Sequence, residues 1–209
     1  MWLRRLFNRF FSMFQKKQIQ LGLYGPPNGG KTTLANRICG DWLGEEIGTT
    51  SKIAHETRML FRKNVTIKYD DERTLKFLLV DTPGLASRID YEDFVKEGIP
   101  VQEAKQRAKE AAAGVTASVH SVDDADCVVV VLDATKEPNN AVNTTLITQL
   151  EERQIPLCIV ANKVDLKKAS VERVQEVYPQ HHVLGISAKY GDNIDTFYEK
   201  LYELTEQVD

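Results

Sequence analysis

The chain has no acidic residue in its first forty positions; Asp41 is the first. Arg4, Arg5, Arg9, Lys16 and Lys17 precede it, yet the whole chain carries a net charge of -3. A basic beginning on an acidic body implies an anionic partner for the first segment, while the remainder lacks the positive surplus of a nucleic-acid-binding surface. Cysteine is scarce: Cys39, Cys127 and Cys158 stand far apart. No metal-ligand spacing relates them, and Cys127 and Cys158 sit in apolar runs, which predicts buried small hydrophobes in an intracellular chain. No run approaches the roughly 20 apolar residues of a spanning helix. Internal repeats, low-complexity linkers and a second globular domain are also lacking. What remains is 209 residues, with 42% hydrophobic and 27% charged. That suits one globular domain with an appendage, divided here as residues 1–17 and 18–209.

From Ile19 onward, short apolar runs alternate with helical stretches, the pattern of a mostly parallel sheet with helices on both faces. "IQLGLYG" reads as a first strand, followed by a glycine loop and a helix from about Thr32 to Cys39. "HETRMLFRKNVTIKY" and "TLKFLLVD" read as an antiparallel hairpin about the turn Asp70 to Arg73. A helix-rich stretch spans about 100 to 121. "DCVVVVLDA", apolar without alternation, is a buried central strand. A helix at 140–153, the strand "LCIVANK", a helix near 170–177, the strand "HVLGIS" and a helix at 192–206 complete an α/β fold of six strands.

"GPPNGGKTT", residues 25 to 33, fits G-x-x-x-x-G-K-[ST] between a strand and a helix. Gly25, Pro26, Pro27, Asn28, Gly29, Gly30, Lys31, Thr32 and Thr33 are therefore the expected phosphate cradle, with backbone N–H groups at the positive end of the helix. The motif assigns Lys31 to the β and γ phosphates and the Thr32 hydroxyl to Mg²⁺. "LLVDTPG" places Asp81 at a strand end, where it can hold Mg²⁺ through water, and Gly84, whose N–H can meet the γ-phosphate. "VANKVD" supplies Asn162, Lys163 and Asp165. A carboxylate at Asp165 can accept from guanine N1–H and the exocyclic amine together, a pairing adenine cannot match. "ISAK" supplies Ser187, Ala188 and Lys189, where a backbone N–H can meet the guanine carbonyl. These motifs follow one another at the ends of successive strands, where α/β sheets bind ligands, and imply a guanine-nucleotide site.

On these motifs, residues 19 to about 206 resemble the Era-like branch of the translation-factor-related GTPases. "YGPPNGGKTTLANRI", "HETR" and "ANKVDL" resemble the small archaeal Era-like GTP-binding proteins. The resemblance implies a P-loop GTPase fold that binds GTP or GDP with Mg²⁺ and hydrolyses GTP. Bacterial Era carries an RNA-binding KH domain after its GTPase domain; this chain is expected to lack one, so direct RNA binding is the weaker expectation. Two candidates stand for the switch threonine that reaches Mg²⁺ and the γ-phosphate. Thr57 in "HETR" occupies the place of the Era pattern and is preferred over Thr49/Thr50 in "IGTTSK". After "DTPG" comes Leu85, where Ras-type enzymes keep the glutamine that orients water, so slow intrinsic hydrolysis is expected. Asn28 has two readings. It resembles the asparagine of potassium-dependent relatives, in which K⁺ stabilises charge developing between the phosphates, or it merely shapes the loop turn. Asp90 to Gly98, acidic and mixed, is expected to be a mobile partner surface.

The opening "MWLRRLFNRFFSMFQKK" places Leu3, Leu6, Phe7, Phe10, Phe11 and Phe14 on one face of a predicted amphipathic helix. Arginines interrupt the apolar run and no small-residue cleavage site follows, which excludes a secretory signal. Two readings stay open: the face lies in an anionic membrane interface, or it docks on the GTPase body or a second copy of the chain. The first resembles the N-terminal helices of Arf and Sar GTPases and predicts a cytoplasmic protein, peripheral on the inner face of the cell membrane. A switch in vesicle or envelope remodelling, an RNA- or ribosome-linked Era-type factor, and a slowly hydrolysing scaffold for a protein partner are the competing uses.

Overall fold

The strand Cys127–Asp133 is buried at every position, and its side chains divide strictly between two apolar clusters. Cys127, Val129 and Val131 enter one; Val128, Val130 and Leu132 enter the other. A period of two with both faces apolar leaves this strand only one place, the middle of a sheet covered on both sides. A computed structural model describes residues 18–46, 59–86 and 89–208. The strands are β1 (Ile19–Tyr24), β2 (Phe61–Lys68), β3 (Thr74–Asp81), β4 (Cys127–Asp133), β5 (Leu157–Asn162) and β6 (Val183–Ile186). They form one sheet in the order β2-β3-β1-β4-β5-β6, parallel throughout except for the β2–β3 pair.

The helices are α1 (Lys31–Leu43), α2 (Tyr91–Lys96), α3 (Val101–Ser121), α4 (Ala141–Glu152), α5 (Val171–Val177) and α6 (Ile194–Thr205). On one face, Leu34 and Ile38 of α1 and Phe197 and Leu201 of α6 pack against Leu21, Phe77 and Val129. On the other, Leu146 and Leu150 of α4 and Val174 of α5 pack against Tyr24, Val130 and Ile159. The turn between β2 and β3 closes through Tyr69 N–H on the Arg73 carbonyl, and Asp70 accepts from the Glu72 and Arg73 amides. All three cysteines are free and buried.

Two local expectations differ from the structure. The first helix runs on to Leu43 because Ile38 and Cys39 are core residues and Gly44, at φ 72°, supplies the left-handed stop. The second strand starts at Phe61; Met59 and Leu60 precede it outside the ladder. Asp90 to Gly98, expected as a partner surface, holds a short helix: Asp90 caps α2 on the Glu92 amide, and Phe94 joins Ile99, Ala104 and Ala111 in a small core shared with α3. The predicted helix at 1–17, Thr49, Thr50 and Thr57 lie outside the described residues.

Candidate nucleotide-binding site

The loop Gly25 to Gly30 leaves the carboxyl end of β1 and delivers the chain to the first turn of α1. Gly30 has φ 98°, and a Cβ there would collide with the Asn162 side chain. Only glycine combines that backbone angle with that contact. Asn28 also lies in the left-handed region, at φ 59°, which asparagine tolerates better than most residues. A residue that accepts this angle shapes the turn of the loop. Lys31, the first residue of α1, is buried, and its ammonium donates to the Gly25 carbonyl at 3.2 Å and the Pro26 carbonyl at 2.9 Å. Burial lowers its pKa to about 8, partly opposed by the Asp81 carboxylate. The 13-residue helix α1 thus presents its positive end and a buried cation to the loop.

Asp81 closes β3 beside it. Thr32 Oγ1 donates to Asp81 Oδ2 at 2.7 Å, while Asp81 Oδ1 is buried with no hydrogen-bond partner among the described residues. Burial pushes the Asp81 carboxyl up to about 6, against the Thr32 hydrogen bond and the Lys31 charge. An orphaned carboxylate oxygen next to a hydroxyl is a hard-oxygen donor set, and it fits Mg²⁺. Beyond Asp81 the chain turns over the phosphate loop. Thr82 Oγ1 donates to the Leu23 carbonyl at 2.7 Å, and the Leu85 amide donates to the Gly25 carbonyl at 3.0 Å. A Cβ on Gly84 would stand 2.6 Å from Pro27 Cα, so the two loops touch through their backbones. Leu85 itself is buried among Tyr24, Val122 and Leu146. Its side chain is held in an apolar cluster and has no polar atom with which to orient water.

The base-side residues arrive from β5 and β6. Asn162 is buried and acts as a three-way tie. Its Nδ2 donates to the Gly29 carbonyl at 2.9 Å, and its Oδ1 accepts from the Lys163 amide at 2.8 Å and the Ala188 amide at 3.0 Å. Lys163 reaches across the loop to the Asn28 carbonyl and to Asp133 Oδ2, both at 2.6 Å. Burial works to raise the Asp133 carboxyl, but hydrogen bonds from Lys163 and Thr135 outweigh it and hold it below the usual carboxylate range. Asp165, two residues further on, is exposed. In "ISAK", Ser187 is buried, its amide donates to the Asp192 carbonyl, and the Ala188 amide is engaged by Asn162. Arg37 of α1 fixes this loop from outside, donating to the carbonyls of Ala188 at 3.2 Å and Lys189 at 2.9 Å. Thr33, Arg37, Ala188 and Lys189 line a cavity of about 320 Å³ on this side.

The structure therefore gathers Gly25 to Thr33, Asp81, Gly84, Asn162 to Asp165 and Ser187 to Lys189 at the carboxyl ends of the parallel strands. Sequence reasoning missed Asp133, Thr135, Arg37 and Ser118, whose hydroxyl donates to the Pro83 carbonyl at 3.1 Å. Asp133 carried a signal, being a carboxylate at the carboxyl end of a fully apolar strand. Arg37 and Ser118 are ordinary helix residues in the sequence and carried none.

Residues 20–163 of this chain match the model of a family described as 50S ribosome-binding GTPase. The chain belongs to that GTPase family. Among its curated relatives, the tRNA modification GTPase MnmE of Chlorobium chlorochromatii is 29% identical over 213 residues, covering 97% of this chain and 39% of the relative. GTPase Era of Rickettsia conorii is 26% identical over 195 residues, covering 91% and 49%. The chain spans half or less of the length of these relatives. Among solved structures, an Aquifex aeolicus Era variant bound to GDP and AlF4⁻ superposes with a TM-score of 0.67 at 21% identity, over 90% of this chain and 57% of that one. An Era bound to MgGDPNP and nucleotides of 16S ribosomal RNA gives the same values. The six-stranded, mostly parallel sheet is the P-loop GTPase fold seen in Era, and the chain is similar to the GTPases Era and MnmE.

Proposed function

We propose that this GTPase binds GTP and GDP with Mg²⁺, hydrolyses GTP slowly to GDP and phosphate, and works as a switch whose output is residues 1–17. The observation that carries the nucleotide reading is the head of α1. There the buried Lys31 ammonium rests on the phosphate-loop carbonyls, and the Thr32 hydroxyl shares Asp81 with an unpartnered carboxylate oxygen. In this reading Lys31 leaves those carbonyls for the β and γ phosphates, and Thr32, Asp81 and Thr57 hold the Mg²⁺ that neutralises charge on the transferring group. Gly84 offers its N–H to the γ-phosphate. Asp165 reads the guanine edge, Ser187 to Lys189 line it, and Asn162 and Lys163 position them from behind. With Leu85 in an apolar cluster, no side chain at that position orients the attacking water, hence the slow rate.

The test is nucleotide binding and phosphate release with and without Mg²⁺. Guanine nucleotides should bind at least about a hundredfold more tightly than ATP. Asp165→Asn should lose that preference, and Lys31→Ala should lose hydrolysis. Comparable affinity for ATP would overturn the reading. Potassium, argued from Asn28, is tested in the same assay: phosphate release should rise when K⁺ replaces Na⁺ at constant ionic strength, and equal rates remove K⁺ from the mechanism.

The membrane part rests on the amphipathic, basic composition of residues 1–17. Among the described residues no helix is long and apolar enough to cross a membrane. A peripheral protein on the inner face of the cell membrane follows from this reading, as does a part in vesicle or envelope remodelling. Full-length protein should sediment with anionic vesicles more strongly in one nucleotide state, and protein starting at Gln18 should not. A full-length protein that pellets with lipid in neither state removes the membrane from the proposal. A ribosome-linked role is the second reading, supported by the Era structure that holds 16S ribosomal RNA nucleotides.

A further inference from the structure

Where does the apolar face of residues 1–17 go when it is not on a membrane? The chain enters the described structure at Gln18, whose neighbour Gln20 is clamped to the turn that precedes β4. Gln20 N–H donates to Asp126 Oδ2 at 2.8 Å, and Asp126 N–H donates to the Gln20 carbonyl at 3.0 Å. The described chain therefore begins close to the turn that carries Asp123, Asp124 and Asp126. One of these, Asp123, is paired with Arg153. The last residues of the departing segment are Lys16 and Lys17, with Arg4, Arg5 and Arg9 further out. In sequence, lysines directly precede the point where the described chain begins beside an acidic turn.

Immediately above that turn is an apolar cavity of about 280 Å³ between α3 and α4. Leu85, Val115, Val119, Val122, Val142 and Leu146 line it. Val119 is 42% exposed on α3, a large apolar side chain facing water beside an apolar hollow. Seventeen residues are enough: fourteen of them in a helix would reach about 21 Å, more than the roughly 16 Å of half of α3 or the roughly 18 Å of α4. A hollow of this volume suits aromatic side chains, and Phe7, Phe10, Phe11 and Phe14 lie on the predicted apolar face.

We infer that the groove between α3 and α4 is the seat of the chain's own residues 1–17, with their basic side chains over the Asp123–Asp126 turn. The groove's far wall is Leu85, and Leu85 is the residue whose amide is bonded to the Gly25 carbonyl of the phosphate loop at 3.0 Å. Ser118, one residue before Val119, holds the Pro83 carbonyl from the same helix. The wall and the phosphate loop are therefore bonded directly to one another. In the state with Leu85 on Gly25 the seat is formed. When Gly84 turns its N–H to a γ-phosphate, the adjoining Leu85 contact with the loop is broken, the wall shifts and the segment is released. This device rests on the reading of residues 1–17 as the switch output; it adds where the segment is kept.

The test is proximity cross-linking in the full chain with a short bis-maleimide at low protein concentration. Ser12→Cys is combined either with Thr116→Cys, beside the groove, or with Gln102→Cys, fourteen residues away on the same exposed side of α3. The three native cysteines are buried and give little background. With GDP, the Ser12–Thr116 pair should form an intramolecular link at least tenfold faster than the Ser12–Gln102 pair. Either a non-hydrolysable GTP analogue or Val119→Glu should remove that advantage, the latter without changing basal GTP hydrolysis. Equal rates for the two pairs overturn the seat. Links only between chains assign the groove to a second copy and also overturn it. Efficient linking that is indifferent to nucleotide overturns the release. Vesicle sedimentation separates this from the membrane reading: linking without pelleting sinks the membrane alone, and pelleting without linking sinks the seat alone.

Discussion

At the residue scale, Lys31 shows how one position is set by opposing demands. The motif requires an ammonium at the head of α1, and the fold buries it, lowering its pKa to about 8. Without ligand, that depression costs stability below pH 8, a cost relieved as pH rises through the window between about 8 and the ordinary lysine value. Bound phosphate reverses the balance by holding the proton on the amine. Nucleotide binding should therefore take up a proton above pH 8, and GDP affinity should fall by up to about tenfold per pH unit from there. Calorimetry in buffers of different ionisation enthalpy checks the uptake directly. Binding that is flat from pH 7.5 to 9.5 would place the Lys31 amine away from the phosphates.

At the element scale, the long α3 couples the site to the rest of the molecule. Its Ser118 and Ser121 are buried; Ser118 holds the Pro83 carbonyl, and Ser121 Oγ shares a 2.7 Å hydrogen bond with Tyr24 Oη. Leu85 rests on this helix and on α4. Restoring a glutamine there should fail to create a Ras-type catalyst, because the position faces an apolar cluster. Leu85→Gln should cost about 2 kcal/mol of stability from a poorly satisfied buried amide and leave phosphate release no faster. Urea unfolding with single-turnover hydrolysis measures both; an enzyme accelerated tenfold would show that the side chain reaches the phosphates. The α2–α3 pair is where sequence reasoning was weakest. A segment of mixed charge concealed Phe94 and Ile99, whose burial depends on Ala104 and Ala111 being small enough for a short helix to lie against α3.

At the scale of the molecule, three loops from three strands meet on one amide. Asn162 joins the phosphate loop through Gly29, its own loop through Lys163 and the base-side loop through Ala188. Asn162→Ala should strip partners from three backbone groups, lowering stability by about 3 kcal/mol. GDP affinity should fall by at least about tenfold, because phosphate and base contacts lose their register together. Thermal unfolding with and without GDP separates the losses; an affinity loss without any loss of stability would make Asn162 a ligand contact only.

The sequence by itself determined the six strands, the hairpin edge, the position of the phosphate loop and the order of the guanine-site motifs. Those are matters of apolar period and local turn chemistry, which act over a few residues and survive in any context. The tertiary structure alone decided that Asn162 lies against Gly29, 133 residues away, that Lys163 is shared by Asn28 and Asp133, and that Arg37 holds the Lys189 carbonyl across 152 positions. It also decided the shifted pKa values of Lys31 and Asp81, because desolvation depends on what the sheet and helices place around a charge. The groove beside Leu85 belongs to the same class. No stretch of sequence contains a cavity; it exists because α3 and α4 stand apart over the face of the sheet opposite α1.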